Sequence, residues 1–185
     1  MKLAIKFTLL VTILTSVTLA GATHIERVFQ ILKTKNCYRI DFVQINNFLG
    51  KQEVYRGTLI RTPKGVEIVY NTQPPFVVKT EKEYVLLGYK GERPRVYKKN
   101  RIPNPILSLL LNLDRLDSFF NLKGCKGDNC TLIPKGYLRR NIKLVKVSIG
   151  PRFVKEIFLK GKGRDNTVRI RIKDFSIKSC KGGDL

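Results

Sequence analysis

The sequence predicts an α+β protein, mainly β, built on a wide antiparallel sheet that curls into an incomplete barrel. Three observations lead there. Apolar and polar residues alternate in roughly nine to eleven short runs, at about the 8–12-residue spacing of sandwiches and barrels. Only two segments carry helical patterning, one near the start and one near the middle. The second of these is apolar on almost every side, yet about half the roughly 20 residues needed to cross a bilayer. A strongly twisted sheet this wide tends to curl towards a barrel, and two helices are then available to cover its open apolar face.

Residues 1–22 read as a secretory signal. Lys2 and Lys6 precede an apolar stretch from Phe7 to Leu19, and Ala20-Gly21-Ala22 offers small residues for cleavage after Ala20 or Ala22. Residues 23–185 then form a single domain, long enough to bury a core of its own. In THIERVFQILKTK, Ile25, Val28, Phe29 and Leu32 fall at i, i+3, i+4 and i+7, with Thr23 and Glu26 spaced as a capping box. The period changes to two at Tyr38, Ile40 and Phe42. Further strands are expected at 53–61, around Val66, Ile68 and Tyr70, at 76–80 and at 83–89, joined by short polar turns as in a meander.

The Leu-rich segment is expected as one helix from 104 to about 117. Asn104 is placed to cap it, and Pro105 already holds a helical φ. Strands resume at 119–124, 130–134, 142–149, 153–159 and 168–177. In the last, Val168, Ile170 and Ile172 face one way while Arg169, Arg171 and Lys173 face the other, the signature of a sheet with one wet face.

Lys and Arg number 36 against 14 acidic residues, a formal charge of +22 that becomes +20 once Lys2 and Lys6 leave with the signal. Such a chain is drawn to polyanions: nucleic acid, anionic membrane surfaces or acidic proteins. Export argues against nucleic acid as a partner. In an oxidising compartment Cys37, Cys125, Cys130 and Cys180 can pair in three ways; the short CKGDNC segment suggests Cys125 with Cys130, leaving Cys37 with Cys180.

Catalytic signatures are missing. His24, the single histidine, lies a few residues from the cleavage point, a poor place to orient a base. Asp114 and Asp117, three apart, read as ordinary features of a helix end. The absence of Trp also argues against a carboxylate-pair glycosidase. No enzyme, cofactor or metal is expected.

The chain resembles the LolA family of periplasmic carriers of outer-membrane lipoproteins. The resemblance rests on order and spacing: an amphipathic helix, then IDFVQ, YRGTLIRTPKGVEIVYNTQPPFVVKTEKEYVLLGY, a Leu-rich helix, FNLKG with TLIPK, and NTVRIRIKDF. It carries Phe42-x-Gln44, Gly57-x-Leu59, Thr72-Gln73-Pro74 and Ile133-Pro134-Lys135. It implies a half-barrel whose concave face is covered by helices acting as a lid. The cavity would take acyl chains of lipoproteins released by an inner-membrane ABC-type complex, for delivery to an outer-membrane acceptor. It also implies an arginine that pins the lid closed. Here Thr62 precedes Pro63 and Arg61 stands one residue early, so Arg61 serves only if a bulge restores its direction.

The residues expected inside the cavity are Phe42, Leu59, Ile68, Tyr70, Val85, Leu87, Ile170 and Ile172 on strands, Phe29 and Leu32 on the first helix, and Leu107, Leu110 and Leu111 on the lid. The protein is read as a monomer working in the periplasm. The alternative is another envelope half-barrel that binds lipid or polyanion, as a sensor or an adhesion module.

Overall fold

The computed structural model describes residues 24–102, 104–163 and 166–178. The expected signal segment, Thr23 of the capping box and Cys180 lie outside the described residues. Among the described residues, eleven strands form one open antiparallel sheet. They are β1 (Tyr38–Phe48), β2 (Lys51–Thr62), β3 (Gly65–Tyr70), β4 (Phe76–Glu81), β5 (Tyr84–Tyr89), β6 (Arg95–Lys98), β7 (Phe120–Lys126), β8 (Asn129–Pro134), β9 (Ile142–Ile149), β10 (Val154–Gly161) and β11 (Thr167–Ile177).

The order across the sheet is β6-β5-β4-β3-β2-β1-β11-β10-β9-β8-β7. This order explains why a lid exists. The strands β6 and β7 follow each other in sequence but lie on opposite edges, so the segment joining them has to pass across the sheet. That segment carries the Leu-rich run. It folds as α2 (Pro105–Leu111) and α3 (Leu116–Phe119), following α1 at 24–34. On α1, Ile25, Val28 and Leu32 are buried and Phe29 is partly buried, the stripe that the helical spacing predicts.

The Leu-rich run is not one helix to 117. Asn104 caps α2, its Oδ1 accepting from the Ile106 and Leu107 amides at 2.9 and 3.3 Å. The helix ends at Asn112 (φ −124°, ψ 33°), whose Nδ2 donates to the Ser108 carbonyl at 2.7 Å. An asparagine side chain that satisfies a carbonyl of the preceding turn competes with the next helical bond. A 3₁₀ turn at Leu113–Arg115 follows and re-aims the chain into α3.

The clean alternation expected along β11 also breaks. Asp41 pairs with Asp174 but Phe42 pairs with Ile172, so Lys173 is the extra residue of a bulge. The bulge places Ile172 opposite Phe42 and Phe175 opposite Ile40. Phe175 then stacks on Phe153 at 3.8 Å between ring centroids. Strand parity alone would have sent Phe175 to the other face.

Two glycine-dependent features shape the sheet. Gly57 lies between Phe42 and Tyr70 in the cross-strand register, and those two rings meet edge-on above it at 5.7 Å. A Cβ at Gly57 would stand 2.7 Å from Phe42 Cζ and 3.0 Å from the Val69 carbonyl oxygen, so only glycine fits. At the turn between β1 and β2, Leu49 and Gly50 both have positive φ, 48° and 77°. Glycine takes that conformation freely, whereas an L-residue with a Cβ loses about 1–2 kcal/mol.

The core is continuous from α1 through the concave face to the lid. The Cys125–Cys130 disulfide closes the β7–β8 hairpin as expected. Cys37 is also disulfide-bonded. The pairing expected for it, with Cys180, falls outside the described residues.

Candidate functional site

The site is built on the middle of the concave face. In β1 and β2 the registered pairs Ile40–Leu59 and Phe42–Gly57 set one apolar row above another. In β11, Phe175 continues the first row and Ile172 the second, while Ile170, one row on and opposite Gln44, pairs with Ile157 of β10. Over these strands lie Leu32 of α1 and Leu110, Leu113 and Leu116 of the lid segment. Together with Phe153 and Val154 they enclose a cavity of about 20 Å³, and each of its lining residues is apolar. A cavity of that size holds about one water molecule and no acyl chain. The lid therefore occupies the volume that the sheet curvature creates.

Six of the expected cavity residues line this space: Leu32, Phe42, Leu59, Leu110, Ile170 and Ile172. Ile68, Tyr70, Val85, Leu87, Leu107 and Leu111 are buried in the surrounding core, with Phe29 packed against it. Sequence reasoning missed Ile40, Leu113, Leu116, Phe153, Val154 and Ile157 as lining residues. Ile40 was within reach, since it shares the parity of Phe42. Leu113 and Leu116 become lining residues through the break at Asn112.

The underside of the lid is dry, but its margins are ionic. Arg61 Nη2 lies 3.0 Å from Asp114 Oδ2, and both side chains are about three-quarters buried, at 26% and 23% exposure. No bulge is required. The β1–β2 and β2–β3 registers run unbroken through Arg61, and it shares the parity of the fully buried Leu59. The direction expected from a one-residue offset is thus corrected: Arg61 faces the lid by simple alternation. Tyr38, paired with Arg61 across β1 and β2, is 2% exposed. Burial pushes its hydroxyl far above the usual tyrosine range, so it stays neutral beside the Arg61–Asp114 pair.

Asp117 makes the second attachment. Lys33 Nζ of α1 lies 2.5 Å from its carboxylate, and this hydrogen bond holds Asp117 below the usual carboxylate range. Lys135 Nζ donates to the Asp117 carbonyl at 3.0 Å, and the hydroxyl of the buried Ser108 of α2 shares a hydrogen bond with that of Tyr137. The two aspartates are thus joined to different elements, one to the sheet and one to α1.

Tyr70 and Gln44 supply a polar break in the otherwise apolar face. The Tyr70 hydroxyl donates to Gln44 Oε1 at 3.1 Å, and Gln44 Nε2 donates to Asn46 Oδ1 at 2.9 Å. Both Tyr70 and Gln44 are buried and satisfied, so they position the wall without offering a reactive group.

No protein-family model matches the sequence, and no curated protein matches it. Solved structures do match. A LolA superfamily protein from Nitrosomonas europaea superposes with a TM-score of 0.55, covering 86% of this chain and 94% of its own, at 5% identity. This chain has a LolA-like fold. An outer membrane lipoprotein-sorting protein domain from Vibrio parahaemolyticus gives 0.49 at 8% identity, covering 88% of this chain and 94% of its own. LprF from Mycobacterium bovis gives 0.45 at 11% identity, covering 86% and 96%. At such identities the likeness is one of backbone. In this LolA-like fold the attachments of the lid are made by this chain's own residues, Arg61 with Asp114 and Lys33 with Asp117. Among the described residues, no helix is long and apolar enough to cross a membrane.

Proposed function

We propose that this protein is a periplasmic carrier that shields the acyl chains of lipoproteins between its lid and its sheet. It receives them from an inner-membrane ABC-type complex and passes them to an outer-membrane acceptor. Its task is carriage and not catalysis. The observation that carries this reading is a wholly apolar space beneath a lid whose margins are held by the Arg61–Asp114 ion pair. A rigid core has no use for a separable cover, and an open apolar trough would aggregate. The LolA-like backbone supports the same reading.

The physics of such a carrier is a competition. Exposed acyl chains cost roughly 0.8 kcal/mol per CH₂ in water, and lid and cargo contest the same strand face. Net affinity is the difference between two large burial terms, so cargo can be both taken up and released. The test is mass spectrometry of the protein purified from its native envelope, with titration of a fluorescent fatty acid into delipidated protein. Co-purified acylated cargo and saturable probe binding are expected. Leu110→Asp should keep the sheet folded and bind the probe at least tenfold more weakly, since it places a charge in the cavity wall. A protein that carries no lipid and ignores the probe would end the proposal.

A further inference from the structure

Among the described residues, the β1–β2 hairpin carries the most exposed large apolar side chains. Pairing between β2 and β3 starts only at Gly57, so Lys51 to Tyr55 rise beyond the end of β3. At about 3.4 Å per residue this arm extends roughly 17 Å past β3, with Tyr55 at its base packed against Tyr70. On the other side β11 supports β1 only as far as Asn47. Among the described residues, the tip, residues 48–51, pairs with no strand outside the hairpin.

Phe48 is 59% exposed, Leu49 at the turn 73% and Val54 58%. None of them joins the core. Leu49 is the more telling, because it occupies a left-handed position that asparagine or glycine would take at lower cost. The fold gains nothing from a leucine there. Exposed cations stand near it: Lys51 on the hairpin, and Lys160 and Lys162 at the end of β10, across β11 from the tip.

We infer that this hairpin tip docks the protein on anionic phospholipid surfaces, with Phe48 and Leu49 entering the headgroup region and the lysines meeting lipid phosphates. Size decides between a bilayer and a protein partner. A standard protein interface engages some 20–30 residues a side, whereas interfacial insertion needs only a few apolar side chains and flanking cations. The overall charge of +22 favours the same surface. The inference stands on the outer hairpin and does not depend on what the cavity binds.

The experiment is co-sedimentation of the lipid-free protein with vesicles of phosphatidylcholine alone or mixed with phosphatidylglycerol. The wild type should bind the mixed vesicles, more weakly as salt rises, and bind the neutral ones poorly. Phe48→Ser with Leu49→Asn should weaken binding roughly tenfold or more. The same double variant should keep its melting temperature and fatty-acid affinity, since asparagine suits the turn. Lys51→Gln with Lys162→Gln should lower the preference for phosphatidylglycerol. Equal binding to neutral vesicles, no binding to either, or full binding by the tip variant would each overturn the inference. Fatty-acid uptake is read separately, so failure at the membrane and failure at the cavity remain distinguishable.

Discussion

Arg61 of β2 and Asp114 of the lid form an ion pair of 3.0 Å that links the sheet to the segment crossing it. Both groups are largely out of water, which makes the pair stronger than a surface bridge but leaves each partner costly if orphaned. In the proposed carrier it would break whenever the lid leaves the sheet, and so would weigh on the empty state alone.

Arg61→Ala should therefore destabilise the empty protein by about 1–2 kcal/mol while leaving the loaded form nearly untouched. Apparent affinity for an acyl probe should rise about 5–30-fold. Thermal melts with and without probe measure both effects. Asp114→Asn should act alike, and the double variant should add little to either single one. Lower probe affinity in Arg61→Ala would show that the arginine holds cargo instead of the lid.

Acid should loosen the other attachment. The Lys33 bond depresses the Asp117 pKa in the folded state from its ordinary 3.8. A depressed carboxylate contributes stability that is fully present above 3.8 and lost as pH falls through its lower folded value. Because the pair is largely exposed, the effect on global stability is small. Hydrogen exchange of the α3 amides should thus quicken in strong acid, and Asp117→Asn should exchange quickly at neutral pH too.

Gly57→Ala should cost about 1–3 kcal/mol by overpacking, because its methyl would press on Phe42. Phe42→Leu should restore part of that loss in the double variant. Urea denaturation of the four proteins in the cycle tests the coupling, and simple additivity would mean that the Val69 carbonyl is the obstacle.

Replacing Cys125 and Cys130 with alanine should cost about 2 kcal/mol, the entropy of so short a closed loop. The loss should be local, since β7 is an edge strand with β8 as its single partner. Faster amide exchange confined to β7 and β8 is the expected sign.

Much of this architecture can be read from residue order. The i, i+3, i+4, i+7 stripe of α1, the Asn104-Pro105 start and the inward Ile170 follow from periodicity and capping. The partner of Arg61 does not. It depends on where the lid goes after Asn112, and a single hydrogen bond to Ser108 redirects it. The bulge at Lys173 likewise defeats a period-two count, because one added residue moves Phe175 to the cavity side. The exposure of Phe48 and Leu49 follows from the lengths of the neighbouring strands, which end short of the hairpin tip, and residue order does not show where those strands end. Cavity volume was illegible for a related reason: it is the small residue left when a curved sheet and a cover nearly match.

For the proposed carrier, that near-match has a consequence for which ligands it would accept. With room for about one water molecule beneath the lid, there is no standing vessel to fill. Every ligand must first displace the cover, at a cost that is the same for a short chain as for a long one. Each methylene returns roughly 0.8 kcal/mol, so the balance turns favourable only past a minimum chain length. Short fatty acids would be refused, and ligands with several long chains would be taken in preference. The lid thus works as a toll on length, and discrimination arises without any group that recognises a headgroup.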